Sequence, residues 1–239
     1  MPTWLHMPDA RKQLTTLIQQ AGGNCPIELI VREAIWNGLD SNERFKKMYP
    51  EYETTSSIYI SRDAYNSRKI RFTNCGGDYF SKEKANKHMI TLANTDGDNN
   101  SINVDYDENK GGGAKYAYLP HAPEGILWRS KPYSDDTGIK FHLHLHKSGY
   151  YGLKDFYCSE LEENTSFPYC DRFSDELDSS HGTDMVLMGA TREQDTWQQL
   201  CEACGTPRLF TGWSIWAWIC NRLWGPPPSI IRVHIYGNN

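Results

Sequence analysis

Apolar residues recur at helical spacing near the start of the chain and switch to strict alternation further on. Leu14, Leu17 and Ile18 follow Asp9, a capping residue, and Gly22-Gly23 supply a stop, so the pattern predicts a first helix between them. Pro26 suits the first turn of a second helix, whose stripe of Ile27, Ile30, Val31 and Ala34 runs to about Ser41. Ile58 and Ile60, then Ile70 and Phe72, alternate on either side of the turn residues Asn66-Ser67 and predict a hairpin. Residues 93–113 are rich in Asn, Asp and Gly and are read as a long mobile loop. Strands are expected near 125–130, 139–146 and 183–188. Trp197 to Ala203 and Phe210 to Trp224 read as helices. The break at Pro226-Pro227-Pro228 precedes one more strand, Ile230 to Tyr236.

Composition narrows the class. The 239 residues are 38% hydrophobic, 23% charged and 13% aromatic, which excludes disorder and collagen-like repetition and suits a single domain. A net charge of -5 gives no electrostatic reason to expect a nucleic-acid backbone as the main ligand. The most apolar stretch, Leu209 to Trp224, is well short of the ~20 residues that span a bilayer, so no membrane insertion is expected. Seven cysteines without a dense framework point to reduced thiols in a cytoplasmic protein.

Candidate chemistry begins on the second helix. Glu33, Asn37 and Asp40 lie at i, i+4 and i+7 and point within about 60° of one another, forming one polar stripe beside Ile30 and Ala34. A carboxylate there can polarise a water, and an amide oxygen can complete a metal shell. Spacing alone also allows a solvated helix face. Arg71 to Asp78 ends a strand in a glycine turn, where a flat ligand can approach the backbone and Asn74 can hydrogen-bond a base edge. Gly111-Gly112-Gly113-Ala114-Lys115 follows the polar loop and opens a helix, Tyr116-Ala117-Tyr118, offering backbone N–H groups and a lysine charge to phosphate oxygens. His181-Gly182-Thr183 then opens a strand.

Taken in this order, the segments resemble the boxes of the GHKL superfamily, the Bergerat ATP-binding fold of gyrase, MutL, the large heat-shock chaperones, MORC proteins and histidine kinases. Glu33-Ala-Ile-Trp-Asn37-Gly-Leu-Asp40-Ser41 is similar to the N-box, implying Glu33 as general base and Asn37 as Mg²⁺ ligand, with Asp40 beside it at the nucleotide. Phe72-Thr-Asn74-Cys-Gly76 resembles the first glycine box, which reads adenine. Gly111, Gly112, Gly113 and Lys115 resemble the second glycine box and phosphate lid, and Thr183 the threonine box. The resemblance covers residues from about 10 to 190, and the family's following helix and strand would account for Phe210 to Tyr236.

The implied fold is an α/β class, α+β two-layer sandwich, a mixed sheet with helices on one face. Residues 1–239 would form one domain with 190–239 as a C-terminal helix-strand extension, and the chain is expected to be an excised N-terminal domain. The implied ligands are ATP or ADP with Mg²⁺, and the implied activity is slow hydrolysis driving a conformational switch, through a homodimer or a downstream effector domain. A nucleotide sensor without catalysis and a histidine-kinase-type domain are the alternatives. Against the latter, only 32 residues precede the N-box in this sequence, too few for a phosphoacceptor hairpin. No Walker-type P-loop is present in the sequence.

The sequence departs from the family pattern in the first glycine box. The family's adenine-reading Asp is replaced by Asn74, Asp78 stands at the second glycine, and an alternative register puts Thr73 at the Asp position. Three further features stand apart. His142, His144 and His146 share one strand face and are read as structural, with a metal ladder as the other reading. Cys201-x-x-Cys204 with Cys158 and Cys170 lacks the two close pairs of a zinc site. Trp213, Trp216, Trp218 and Trp224 are read mainly as core.

Overall fold

The computed structural model describes residues 12, 15–20, 24–52, 56–89, 113–133, 138–158, 162–170, 181–205 and 231–236. Its helices are α1 (Leu29–Met48), α2 (Lys82–Met89), α3 (Gly113–Tyr118) and α4 (Thr196–Cys204), with a 3-10 turn at Leu119–His121. Its strands are β1 (Ser56–Arg62), β2 (Ile70–Cys75), β3 (Ile126–Lys131), β4 (Gly138–Leu145), β5 (Tyr151–Leu153), β6 (Phe156–Cys158), β7 (Glu163–Thr165), β8 (Tyr169–Cys170), β9 (Gly182–Leu187) and β10 (Ile231–Tyr236).

Eight strands form one sheet in the order β10-β1-β2-β9-β3-β4-β5, with β8 also on β4, while β6 and β7 pair separately. β10 runs parallel to β1 and the other neighbours are antiparallel, so the sheet is mixed. Helices and sheet make the two-layer α+β arrangement.

Register explains where the core ends. On the face toward α1, one row runs Ile70, Leu187, Ile126, Leu143, and the next runs Ile60, Phe72, Met185, Trp128, Phe141. These side chains share one apolar cluster with Ile30, Val31, Ile35 and Leu39 of α1 and Trp197 and Leu200 of α4. Two residues further along the strands the third row reads Ile58, Asn74, Thr183, Ser130. Strand alternation thus carries a polar row onto the same face, at the edge of the apolar layer.

α1 opens after a turn in which Leu29 N donates to Pro26 O at 3.0 Å and Ile30 N to Ile27 O at 3.1 Å. It continues to Met48, past the Ser41 expected from its apolar stripe. The last turns bury Ser41, Asn42 and Phe45, two polar residues that hide the continuing inward face from a hydrophobicity count. Lys46 and Lys47 in the final turn favour the carbonyl end of the helix dipole. α2 and the strands β5 to β8 were not expected. Lys82–Met89 has little apolar content, and two- or three-residue strands show no period.

The expected hairpin is β1–β2, and the strands expected near 125–130, 139–146 and 183–188 are β3, β4 and β9. Residues 15–20 are helical. Asp9, Gly22 and Gly23, the loop through Gly111 and Gly112, and the helix expected at Phe210 to Trp224 lie outside the described residues. Among the described residues no helix is long and apolar enough to cross a membrane.

Candidate functional site

The polar row forms the floor of the candidate site. Ser130 Oγ donates to Gly182 O at 3.1 Å, accepts from Phe80 N at 2.7 Å and lies 3.0 Å from Thr183 Oγ1. A serine has one hydroxyl hydrogen, so with that hydrogen on Gly182 the Thr183 hydroxyl donates to Ser130. Ser130 was missed in the sequence because a lone serine within a strand carries no signal until its neighbours across β9 are known.

Asn74 stands beside Thr183 and faces α1. Its Oδ1 is 3.7 Å from the position a Cβ on Gly38 would take, and that same Cβ would strike Ile58 Cδ1 at 2.4 Å. Gly38 therefore lets the helix backbone approach β1 and β2 closely. Thr73 is on the opposite face, where its Oγ1 donates to Asp184 Oδ1 at 3.0 Å. Of the two registers open in the sequence, the geometry puts Asn74 on the helix side.

Gly76 turns the chain out of β2 with φ 82°, and its N–H reaches His181 O at 3.3 Å. A Cβ on Gly77 would meet Asn74 Nδ2 at 2.4 Å and both Asn42 Oδ1 and Ser41 Oγ at 2.6 Å. Three polar atoms thus converge where the glycine leaves room. The following loop is tied to α1, with Ser41 Oγ donating to Asp78 O at 3.0 Å and Asp78 N to Ser41 O at 3.1 Å. The Asp78 carboxylate is turned elsewhere, to Lys84 Nζ at 2.7 Å and Arg44 Nε at 3.5 Å. Next to this loop, Phe45, Tyr49, Tyr52, Tyr133 and His181 pack ring against ring, with Phe45 and His181 centroids 4.4 Å apart.

Further up α1 the same side carries Glu33 and Asn37. Glu33 is partly buried and its Oε1 lies 3.1 Å from Arg32 Nη2. Tyr118, fully enclosed on α3, is hydrogen-bonded to Asn37. Burial pushes the Tyr118 hydroxyl well above its ordinary pKa, the Glu33 charge adds to this, and the Asn37 bond opposes it. Tyr118 was legible in the sequence only as part of a helical pattern. Asp40, partly buried, follows Asn37 by three residues.

Gly113 and Lys115 belong to α3, so the loop expected up to Gly113 gives way to helix there. Lys115 is buried at 2% exposure, and burial lowers its pKa to about 8. Asn37 carries a carboxamide oxygen, a donor type that a hard divalent cation takes.

Beneath the site, on the far face of the sheet, lies a charge cluster. Arg71 Nε is 2.6 Å from Asp184 Oδ1, and Arg129 Nη2 contacts Asp184 Oδ2. Burial raises the pKa of Asp63, which the charges of Arg71 and Arg129 counter.

The histidine ladder is packed on itself, with ring centroids 5.3 Å apart for His142 and His144 and 4.2 Å for His144 and His146. His142 Nε2 bonds Glu124 O at 2.8 Å and His146 Nε2 bonds Leu153 O at 3.2 Å. Among the described residues no group of three His, Cys, Asp or Glu is placed to hold a metal. Cys25, Cys75, Cys201 and Cys204 form no disulfide, and burial raises Cys201 to about 11 and Cys204 to about 12.

No family model and no curated protein matches the chain. Among solved structures, the chain is similar to the ATPase and transducer domains of DNA topoisomerase II from Balamuthia mandrillaris, at 14% identity and a TM-score of 0.47. That superposition covers 87% of this chain and 46% of the other, so the chain spans about half the length of that solved chain.

Proposed function

We propose that the chain is a GHKL-type ATP-binding domain that hydrolyses ATP slowly and works as a nucleotide-driven conformational switch. The observation that carries this reading is the arrangement on one side of α1. Glu33 and Asn37 lie on the helix, and its Gly38, Ser41 and Asn42 close over Asn74 and the Gly76-Gly77 turn. Four segments that resemble the family's boxes are distant in sequence, and three of them, around Asn37, Asn74 and Thr183, meet here. Asn74 and Thr183 would face the base, with Gly76 giving it access to the backbone. Gly111, Gly112 and Gly113 would face the phosphates, and Lys115, buried on α3, would reach them by turning outward.

Glu33 would accept a proton from the attacking water, and Asn37, with Asp40 beside it, would hold Mg²⁺. When bound, that ion would neutralise the charge of the phosphate oxygens. Tyr118, hydrogen-bonded to Asn37, would steady that carboxamide for the task. Contact of the terminal phosphate with the segment Gly111 to Lys115 would drive dimerisation or docking of an effector domain, in one domain over 1–239 with 190–239 as its extension.

Glu33→Ala should abolish phosphate release while ATP binding is retained, and Asn37→Ala should lose Mg²⁺-dependent binding. Phosphate release at the unmutated rate from Glu33→Ala would remove Glu33 as the base. The second reading, a nucleotide sensor without catalysis, is favoured by the amide Asn74 in place of an acid. It predicts tight ATP binding without phosphate release from the unmutated chain. Transfer of labelled phosphate to protein would indicate a kinase-type domain instead.

A further inference from the structure

We infer that Asp78 is a positioning residue for the nucleotide site, its carboxylate clamping α1 to α2 across the glycine turn and so setting that turn for the base. The inference rests on the nucleotide-binding reading above. Asp78 stands at the second glycine of the first glycine box, and the backbone there does not require a glycine. Among the described residues Glu162 is the one non-glycine residue with a positive φ, whereas Gly76 takes the left-handed turn at 82°. An acid therefore fits at position 78 without backbone strain.

Its side chain is 4% exposed and makes contacts that no glycine could make. Oδ2 lies 2.7 Å from Lys84 Nζ and 3.5 Å from Arg44 Nε, while Oδ1 accepts from Tyr79 N at 2.8 Å. Arg44 belongs to the helix that carries Glu33 and Asn37, and Lys84 to α2, so one carboxylate joins two helices on either side of the β1–β2 hairpin. Ser81 Oγ caps α2 by accepting from Lys84 N at 3.1 Å, which fixes the turn that presents Lys84. Ser41 and Ser130 already tie the backbone of this loop to α1 and β3, and the carboxylate extends the hold to α2. Without its charge, Arg44 and Lys84 would face one another as like charges and push the two helices apart. The Arg44 and Lys84 side chains are 57% and 44% exposed, so salt screens the clamp.

Asp78→Asn keeps an acceptor for Tyr79 N and removes the charge. In calorimetric titration of the 239-residue chain with Mg-ATP at low salt, this variant should bind about three- to tenfold more weakly than the unmutated chain. The ratio of the two affinities should shrink toward one at about 1 M KCl, and the charge of ATP enters both members of the ratio and cancels. Adding Lys84→Met to Asp78→Asn removes a repelled cation and should recover part of the affinity, which a general loss of packing would not do. Hydrogen exchange across residues 82–89 without nucleotide should quicken in Asp78→Asn, and in the unmutated chain it should quicken with salt, a measurement that needs no variant. A ratio of one at low salt, a ratio that salt does not move, or a double variant weaker than the single one overturns the inference while nucleotide binding stands. Failure of the unmutated chain to bind Mg-ATP overturns the nucleotide-binding reading, and unmoved exchange across residues 82–89 removes the clamp whether or not nucleotide binds.

Discussion

The hydroxyls of Ser130 on β3 and Thr183 on β9 lie 3.0 Å apart across the ladder, and the same Ser130 oxygen accepts the backbone N–H of Phe80 at 2.7 Å. One side chain therefore joins the floor of the site to the loop that follows the glycine turn. Ser130→Ala would leave the Phe80 N–H without its acceptor and free the Thr183 hydroxyl to rotate. Unfolding by urea should show a loss of about 1–3 kcal/mol. Nucleotide affinity should fall with it, and a variant as stable as the parent would show that this junction is dispensable.

Tyr118→Phe keeps the ring that packs between α1 and α3 and removes only the hydrogen bond to Asn37. The net stability change should be about 1 kcal/mol, because both groups lose a single neutral bond. The larger effect is expected on the Mg²⁺ dependence of ATP binding, since the carboxamide of Asn37 loses the contact that sets its orientation. Titrations with and without Mg²⁺ check this, and an unchanged difference between them would separate Tyr118 from the metal site.

Asp184 balances two guanidinium groups, Arg71 and Arg129, in a buried part of the sheet. Asp184→Asn keeps the shape and removes the charge, so it should cost about 3–5 kcal/mol in denaturant unfolding. Thr73→Ala removes one hydroxyl from the same cluster and should cost only about 1 kcal/mol. Because Thr73 faces away from α1, ATP affinity should survive that change, whereas Asn74→Ala should weaken it by about one to two decades. The reverse pattern would restore the other register.

Acid should loosen the far edge of the sheet. Burial lowers His142 to about 4 and lowers His144 as well, with the neighbouring His and Lys154 charges acting in the same direction. Between an unfolded value near 6.5 and about 4, the unfolded chain binds the extra proton. Stability is therefore full above about pH 6.5 and falls as the pH drops through that window, by on the order of 2–3 kcal/mol for His142. Urea midpoints measured from pH 7 to pH 4 should decline, and His142→Gln should flatten the profile. A parent profile that is already flat across this range would contradict it.

The elements with a strong period were legible in the chain itself. Ile58, Ile60, Ile70 and Phe72 announce the β1–β2 hairpin because alternate residues of a strand share one face, and Ile30 and Val31 announce α1 because 3.6 residues complete a turn. Glu33, Asn37, Asn74 and Thr183 could be named as candidates because glycine turns and a polar stripe on an apolar helix stand out locally. Tertiary structure alone decided how these pieces meet. Thr73 and Asn74 are adjacent in sequence, yet the pleat sends one to Asp184 and the other toward Gly38. Ser130 and Tyr118 gain their roles only from partners on other elements, through β9 and α1. Local periodicity is a property of the backbone and can be read from one segment. A convergence of side chains depends on strand order and register, which are set by the joint burial of apolar faces from segments far apart in the chain.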